Sequence, residues 1–166
     1  MNSENNVRKM GLDSVCRLDV TRGSASFLAP FKDTQTVAVM GTGFLVSEDA
    51  VLTCYHVIEE AYEIECTFAV SPQDKFVAKV AAIFPAHDLA LLRINFGETN
   101  RLKIQPCAIG NSKILGVQTN DALLAFGFPQ ASMQLNVTKG EYSSIGENEH
   151  SGYIKTNTTI NPGNSG

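Results

Sequence analysis

Gly41-Thr42-Gly43-Phe44-Leu45-Val46, then Ser47-Glu48-Asp49-Ala50, then Val51-Leu52-Thr53-Cys54-Tyr55-His56-Val57-Ile58 is the stretch from which the rest of the chain can be read. Two short apolar runs divided by a polar tetrapeptide have the pattern of a β-hairpin. The second run delivers a histidine where it ends. Further along, residues 62–68 alternate so that Tyr62, Ile64, Cys66 and Phe68 share one face, as in a half-buried strand. Comparable runs occupy residues 37–46, 76–84, 89–94, 123–128 and 135–145, separated by Gly, Pro, Asn and Asp. One helical turn is expected at 57–61, and residues 1–10, polar and without periodicity, read as a disordered tail. Many short strands punctuated by turn residues predict an all-β chain, either a sandwich or a barrel.

Three features carry the chemistry. A histidine after a strand is commonly structural, an aspartate ahead of an apolar run is commonly a solvated turn residue, and Gly163-Asn164-Ser165-Gly166 has the composition of an ordinary turn. Their sequence order points elsewhere. His56, Asp88 and Ser165 run His, Asp, Ser, the order of chymotrypsin-like triads and not that of subtilisin or the α/β-hydrolases. A serine that attacks a carbonyl needs N–H donors aimed at the oxygen that becomes negative. A glycine two residues earlier, free to take positive φ, lets the N–H groups of Gly163 and Ser165 converge on one point.

The local contexts of all three residues then agree. GTGFLV (41–46), LTCYHV (52–57), HDLALLRI (87–94) and TTINPGNSG (158–166), supported by DALLAFGFP (121–129) and VTKG (137–140), resemble the trypsin-like serine peptidases of the HtrA/Deg type over most of residues 37–166. The resemblance implies two antiparallel β-barrels of chymotrypsin type with the site in the cleft between them. Residues 11–108 would form the first barrel, carrying His56 and Asp88, and residues 109–166 part of the second, carrying Ser165, with a boundary near 107–112. It further implies a serine endopeptidase acting on protein or peptide substrates through an acyl-enzyme, with oxyanion donors at Gly163 and Ser165 and no cofactor. Ile160, five residues before the serine, would be an apolar wall of the primary specificity pocket, which suits small aliphatic side chains. The family's last strands follow the serine, so the resemblance also implies an incomplete second barrel, and a chain that is inactive on its own as it stands. PDZ and trimerisation segments have no room here, and the oligomeric state is left open. The chain departs from the family at Asn157, where aspartate is usual, at Thr158-Thr159, and at Tyr55, which is larger than expected. Two other readings stay in view: a non-catalytic binding module on a protease fold, and a protease effector domain of a larger regulatory protein.

Composition narrows the remaining classes. A chain of 166 residues with 43% apolar and 18% charged content is a folded unit and not a disordered one. A net charge of -4 with scattered Lys and Arg offers no footprint for nucleic acid or an anionic membrane. No stretch has the apolar length of a membrane span, and the polar N-terminus lacks a signal core, so the cytosol is the expected location. Cys16, Cys54, Cys66 and Cys107 and the three histidines have no metal-type spacing, so no metal is expected. The thiols read as buried or partly buried in a reducing compartment. Cys54 is an alternative nucleophile, but no oxyanion loop surrounds it.

Overall fold

In a computed structural model, which describes residues 3–23, 36–97, 103–111, 116–129, 132–145 and 153–166, the strands fall into two sheets. The first is a closed antiparallel barrel of β1 (Val15–Gly23), β2 (Thr36–Leu45), β3 (Ala50–Thr53), β4 (Ala61–Phe68), β5 (Lys75–Phe84) and β6 (Leu89–Ile94), ordered β1-β2-β3-β6-β5-β4. The second is a three-stranded sheet of β7 (Ala122–Gly127), β8 (Asn136–Ile145) and β9 (Ile154–Thr156). The fold is therefore the mostly-β, chymotrypsin-like arrangement that the motifs implied, with one barrel closed and a second sheet partial.

Alternation fills the barrel. Cys16, Leu18 and Val20 of β1 point inward and meet Phe68, Cys66 and Ile64 of β4 in register, all of them buried. Phe68, Phe76 and Phe96 pack with ring centroids 4.9 to 6.0 Å apart. Offset and edge contacts of this kind add about 0.5–1.5 kcal/mol per pair beyond burial. Tyr62, expected on the same inner face as Ile64, is instead 62% exposed. The register slips between Thr21 and Arg22, where Arg22 pairs with Ala61 and Tyr62 is skipped, so the bulge throws that side chain outward.

The N-terminal segment corrects a second expectation. In place of a disordered tail, Ser3–Ser14 forms helix α1. Two i,i+4 ion pairs, Arg8–Glu4 at 3.1 Å and Lys9–Asp13 at 2.6 Å, support it locally. Such pairs alone do not hold a short helix in water, and docking supplies the rest. Glu4 meets Lys139 of β8 at 2.9 Å, and the Asp13 carbonyl accepts the Gln105 N–H at 3.0 Å. Val7, Met10 and Gly11 close over Phe44 and Phe126 around a cavity of about 270 Å³. The helical turn expected at 57–61 lies at Tyr55–Ile58 (α2), since Glu59 leaves the helical region with ψ 133° and Glu60 follows with a left-handed φ of 58°. All four cysteines are free, with Cys16 and Cys66 buried. Among the described residues no helix is long and apolar enough to cross a membrane.

Candidate active site

β3 ends at Thr53, and the chain turns at once into α2. Buried Val57 and Ile58 pin that single turn to the barrel and leave His56 facing out. Arg22 donates to the carbonyls of His56 and Val57, the latter at 3.2 Å, closing the turn's C-terminal side with a cation. Asp88 arrives from the other direction. A 3-10 turn at Pro85–His87 ends with Asp88 in the left-handed region (φ 52°, ψ 42°), a conformation that aspartate tolerates better than most residues. That twist brings its carboxylate to His56. Asp88 Oδ1 accepts the His56 backbone N–H at 2.8 Å, Asp88 Oδ2 meets His56 Nδ1 at 2.6 Å, and the Asp88 carbonyl accepts the Tyr55 N–H at 3.0 Å.

Three contacts therefore fix how the imidazole stands. Partial burial alone would raise the Asp88 carboxyl, but the hydrogen bonds and charge of His56 outweigh it and hold Asp88 below its usual pKa. With side chains 54% and 43% exposed, the pair contributes orientation more than stability.

The loop carrying Ser165 is anchored by a residue that sequence reasoning passed over. Thr42, on β2 and 3% exposed, donates its N–H to the Ser165 carbonyl at 2.7 Å and its hydroxyl to the Gly163 carbonyl at 2.8 Å. The same hydroxyl accepts the Phe128 N–H at 3.1 Å, and the Thr42 carbonyl accepts the Thr53 hydroxyl at 2.8 Å. One threonine thus joins the barrel, the second sheet and the loop. Gly41 beside it must be glycine for space, because a Cβ there would lie 2.5 Å from Val57 and 3.2 Å from the Ser165 carbonyl. Within the loop, Asn164 N–H closes a turn onto the Asn161 carbonyl at 3.0 Å and Gly163 has φ 97°, the positive value its position called for.

The structure brings His56 and Asp88 into direct contact and seats the Ser165 backbone on β2. Among the described residues, no hydrogen bond joins the Ser165 hydroxyl to His56, and the N–H groups of Gly163 and Ser165 donate to no protein acceptor. Ile160 stands 62% exposed ahead of the loop. The departures at 157–159 act as ties to β8: Asn157 Oδ1 accepts the Glu141 N–H at 2.7 Å, and the Thr159 carbonyl accepts the Thr138 hydroxyl at 3.0 Å.

Cys54, at the N-terminal cap position of α2, is partly buried. Desolvation raises its thiol pKa, the Asp88 charge adds to this, and the Gly166 backbone opposes it. One donor atom from each of Cys54, His56 and Asp88 lies within 4.8 Å of the others, a grouping that linear spacing could not reveal because Asp88 comes from another strand's lead-in.

The trypsin-like peptidase domain family matches residues 41–166. A probable periplasmic serine endoprotease, DegP-like, from Chlamydia trachomatis is 38% identical over 138 residues, covering 80% of this chain and 26% of the relative. Protease Do-like 4, mitochondrial, from Arabidopsis thaliana is 30% identical over 164 residues, covering 93% of this chain and 30% of that protein. Among solved structures, the HtrA-type protease AlgW with tripeptide superposes with a TM-score of 0.78 at 27% identity, over 99% of this chain and 49% of that one. The chain spans less than a third of the length of these two curated relatives and about half of the solved one. Those relatives are named periplasmic and mitochondrial, which lends no support to the cytosolic location expected above.

Proposed function

This chain belongs to the trypsin-like peptidase family and resembles its HtrA-type members, and from that premise we propose that it hydrolyses peptide bonds of protein substrates through His56, Asp88 and Ser165. The observation that carries the reading is the double grip of Asp88 on His56, at 2.8 Å on the backbone N–H and 2.6 Å on Nδ1. That grip leaves Nε2 as the free base. Nε2 takes the proton of Ser165 Oγ as the oxygen attacks the scissile carbonyl, and returns it to the leaving amine, forming an acyl-enzyme that water then cleaves. The unpartnered N–H groups of Gly163 and Ser165 stabilise the oxyanion, each such donor contributing about 3–4 kcal/mol to the transition state.

Exposed Ile160 is the apolar contact for the substrate side chain next to the cleaved bond, which favours small aliphatic residues there. Residues 11–108 and 109–166 act as the two halves of the cleft. The full-length protein is expected to cut casein and to stop on Ser165→Ala. Undiminished cleavage by that variant would remove Ser165 from the mechanism. A Ser165→Ala protein that still binds casein while the wild type never cuts it would favour the binding-module reading. Location follows from fractionation: recovery with periplasmic or organellar markers agrees with the relatives' names, and recovery with cytosolic markers agrees with the polar N-terminus.

A further inference from the structure

Cys54 stands where the mechanism makes no use of it, one residue from Tyr55 and beside the carboxylate that orients His56. Its sulfur, a ring nitrogen of His56 and a carboxylate oxygen of Asp88 form the set within 4.8 Å of one another. A thiolate, an imidazole and a carboxylate are the donor types that zinc takes, and three protein ligands with an open fourth position is a common zinc arrangement. We propose that Cys54 Sγ, His56 Nδ1 and Asp88 Oδ2 bind a zinc ion, and that the ion shuts the site off.

The geometry asks for small movements. Tetrahedral ligands at usual zinc distances lie about 3.4–3.6 Å from one another. The Nδ1 to Oδ2 contact of 2.6 Å must open by roughly 0.8 Å, and the widest pair must close by up to about 1.2 Å. Side-chain rotation of exposed His56 and Asp88 is enough for that, and their 54% and 43% exposure leaves an entry path. Asp88 Oδ1 stays on the His56 backbone N–H, which orients Oδ2 as an outer hydrogen bond orients a ligand. Charge also balances, since thiolate and carboxylate together neutralise the ion. The Cys54 thiol gives up its proton to solvent, and no other proton leaves the protein.

Inhibition follows from the imidazole. In the working enzyme Nδ1 carries the proton, donated to Asp88, and Nε2 is the base. Zinc occupies the Nδ1 lone pair, so the neutral ring must carry its proton on Nε2, which can then no longer accept one from Ser165. The inhibitory half of the proposal rests on His56 as the base of the proposed peptidase, while the binding half does not.

The test uses the full-length protein with Zn²⁺ by calorimetry, Co²⁺ as a spectroscopic stand-in, and casein cleavage. One ion per chain is expected to bind, with a thiolate-to-cobalt absorption band that disappears in Cys54→Ala and Cys54→Ser and persists in Cys107→Ala. Zinc should inhibit cleavage over the range in which it binds, a chelator should restore it, and each Cys54 variant should need at least tenfold more zinc to lose half of its own metal-free rate. Thermal melts confirm that each variant is folded, and the serine variant keeps the residue's size. Zinc sensitivity unchanged in folded Cys54→Ser, or cobalt bound without a thiolate band, would overturn the proposal. Cys54-dependent metal binding in a protein that never cuts peptides would sink the peptidase reading and leave the site standing.

Discussion

His56 and Asp88 stand on a closed barrel whose six strands each pair on both sides, whereas Ser165 ends a loop beside a sheet that has three strands among the described residues. The barrel holds its pair with its own core: Val57 and Ile58 are buried beneath the histidine, and β6 follows directly from Asp88. The serine loop borrows its position. Its hydrogen bonds to β2 come from the backbone N–H and the hydroxyl of Thr42, which lies on the barrel. The proposed base and the proposed nucleophile are therefore held with unequal independence, and substitutions on the two sides should fail in different ways.

The largest effect expected is on rate with no change in fold. Ser165→Ala should lower turnover by about 10⁶-fold, the loss typical when a triad nucleophile is removed, with an unchanged melting curve. Asp88→Asn should cost about 10⁴-fold by presenting the wrong imidazole tautomer. Wild-type rates in either, measured on casein, would dissolve the comparison by removing one half of the site. Next comes the barrel itself. Phe68→Ala removes the fully buried member of the aromatic trio and should destabilise the protein by about 3–5 kcal/mol in denaturant titration. A cost below 1 kcal/mol would show that the core does not support the His56 side as argued.

Thr42→Val sharpens the contrast most. It keeps the shape and the backbone N–H but removes the hydroxyl shared by Gly163 and Phe128, a loss of about 1–3 kcal/mol. The kcat should fall tenfold or more while the His56 Nδ1 proton resonance, a marker of the contact with Asp88, stays in place. Thr42→Ser should recover most of the rate. Equal loss of both readouts would mean that the two halves are not independent.

The smallest effect is that of pH on stability. Asp88 has a folded-state pKa below its unfolded value, so its contribution is complete above the unfolded value and disappears as pH falls through the folded one. At 43% exposure that contribution is small. Melting temperature should therefore change little on acidification from neutral pH until the depressed Asp88 range is reached, and the small loss there should be absent in Asp88→Asn. A large loss of melting temperature in that range that persists in Asp88→Asn would contradict this.

Much of this contrast was legible before any coordinates. Alternation at 62–68 announced β4, short apolar runs announced β2 at 37–46 and β6 at 89–94, and the order His, Asp, Ser singled out the residues proposed as the site, of which the structure brings His56 and Asp88 into contact. What escaped notice depends on contacts distant in sequence. The alternation of Cys16, Leu18 and Val20 with Arg17, Asp19 and Thr21 was a readable strand signal for β1 that the looser hairpin pattern overshadowed. Helix α1 forms because β8 and the 103–107 segment receive it, and no local pattern encodes that docking. Thr42 had a faint signal, a hydroxyl between two glycines inside an apolar strand, which marks a close approach of backbones. The left-handed twist of Asp88 and the meeting of Cys54 with it arise from a turn and a strand separated by 32 or more residues, which spacing rules do not see.

The most direct test of the central claim is labelling of the full-length protein with a fluorophosphonate probe, followed by peptide mapping, in wild type, His56→Ala and Thr42→Val. The account predicts a single adduct on Ser165 that is lost in His56→Ala and slowed in Thr42→Val. An adduct elsewhere, or labelling of Ser165 at the wild-type rate without His56, would contradict it.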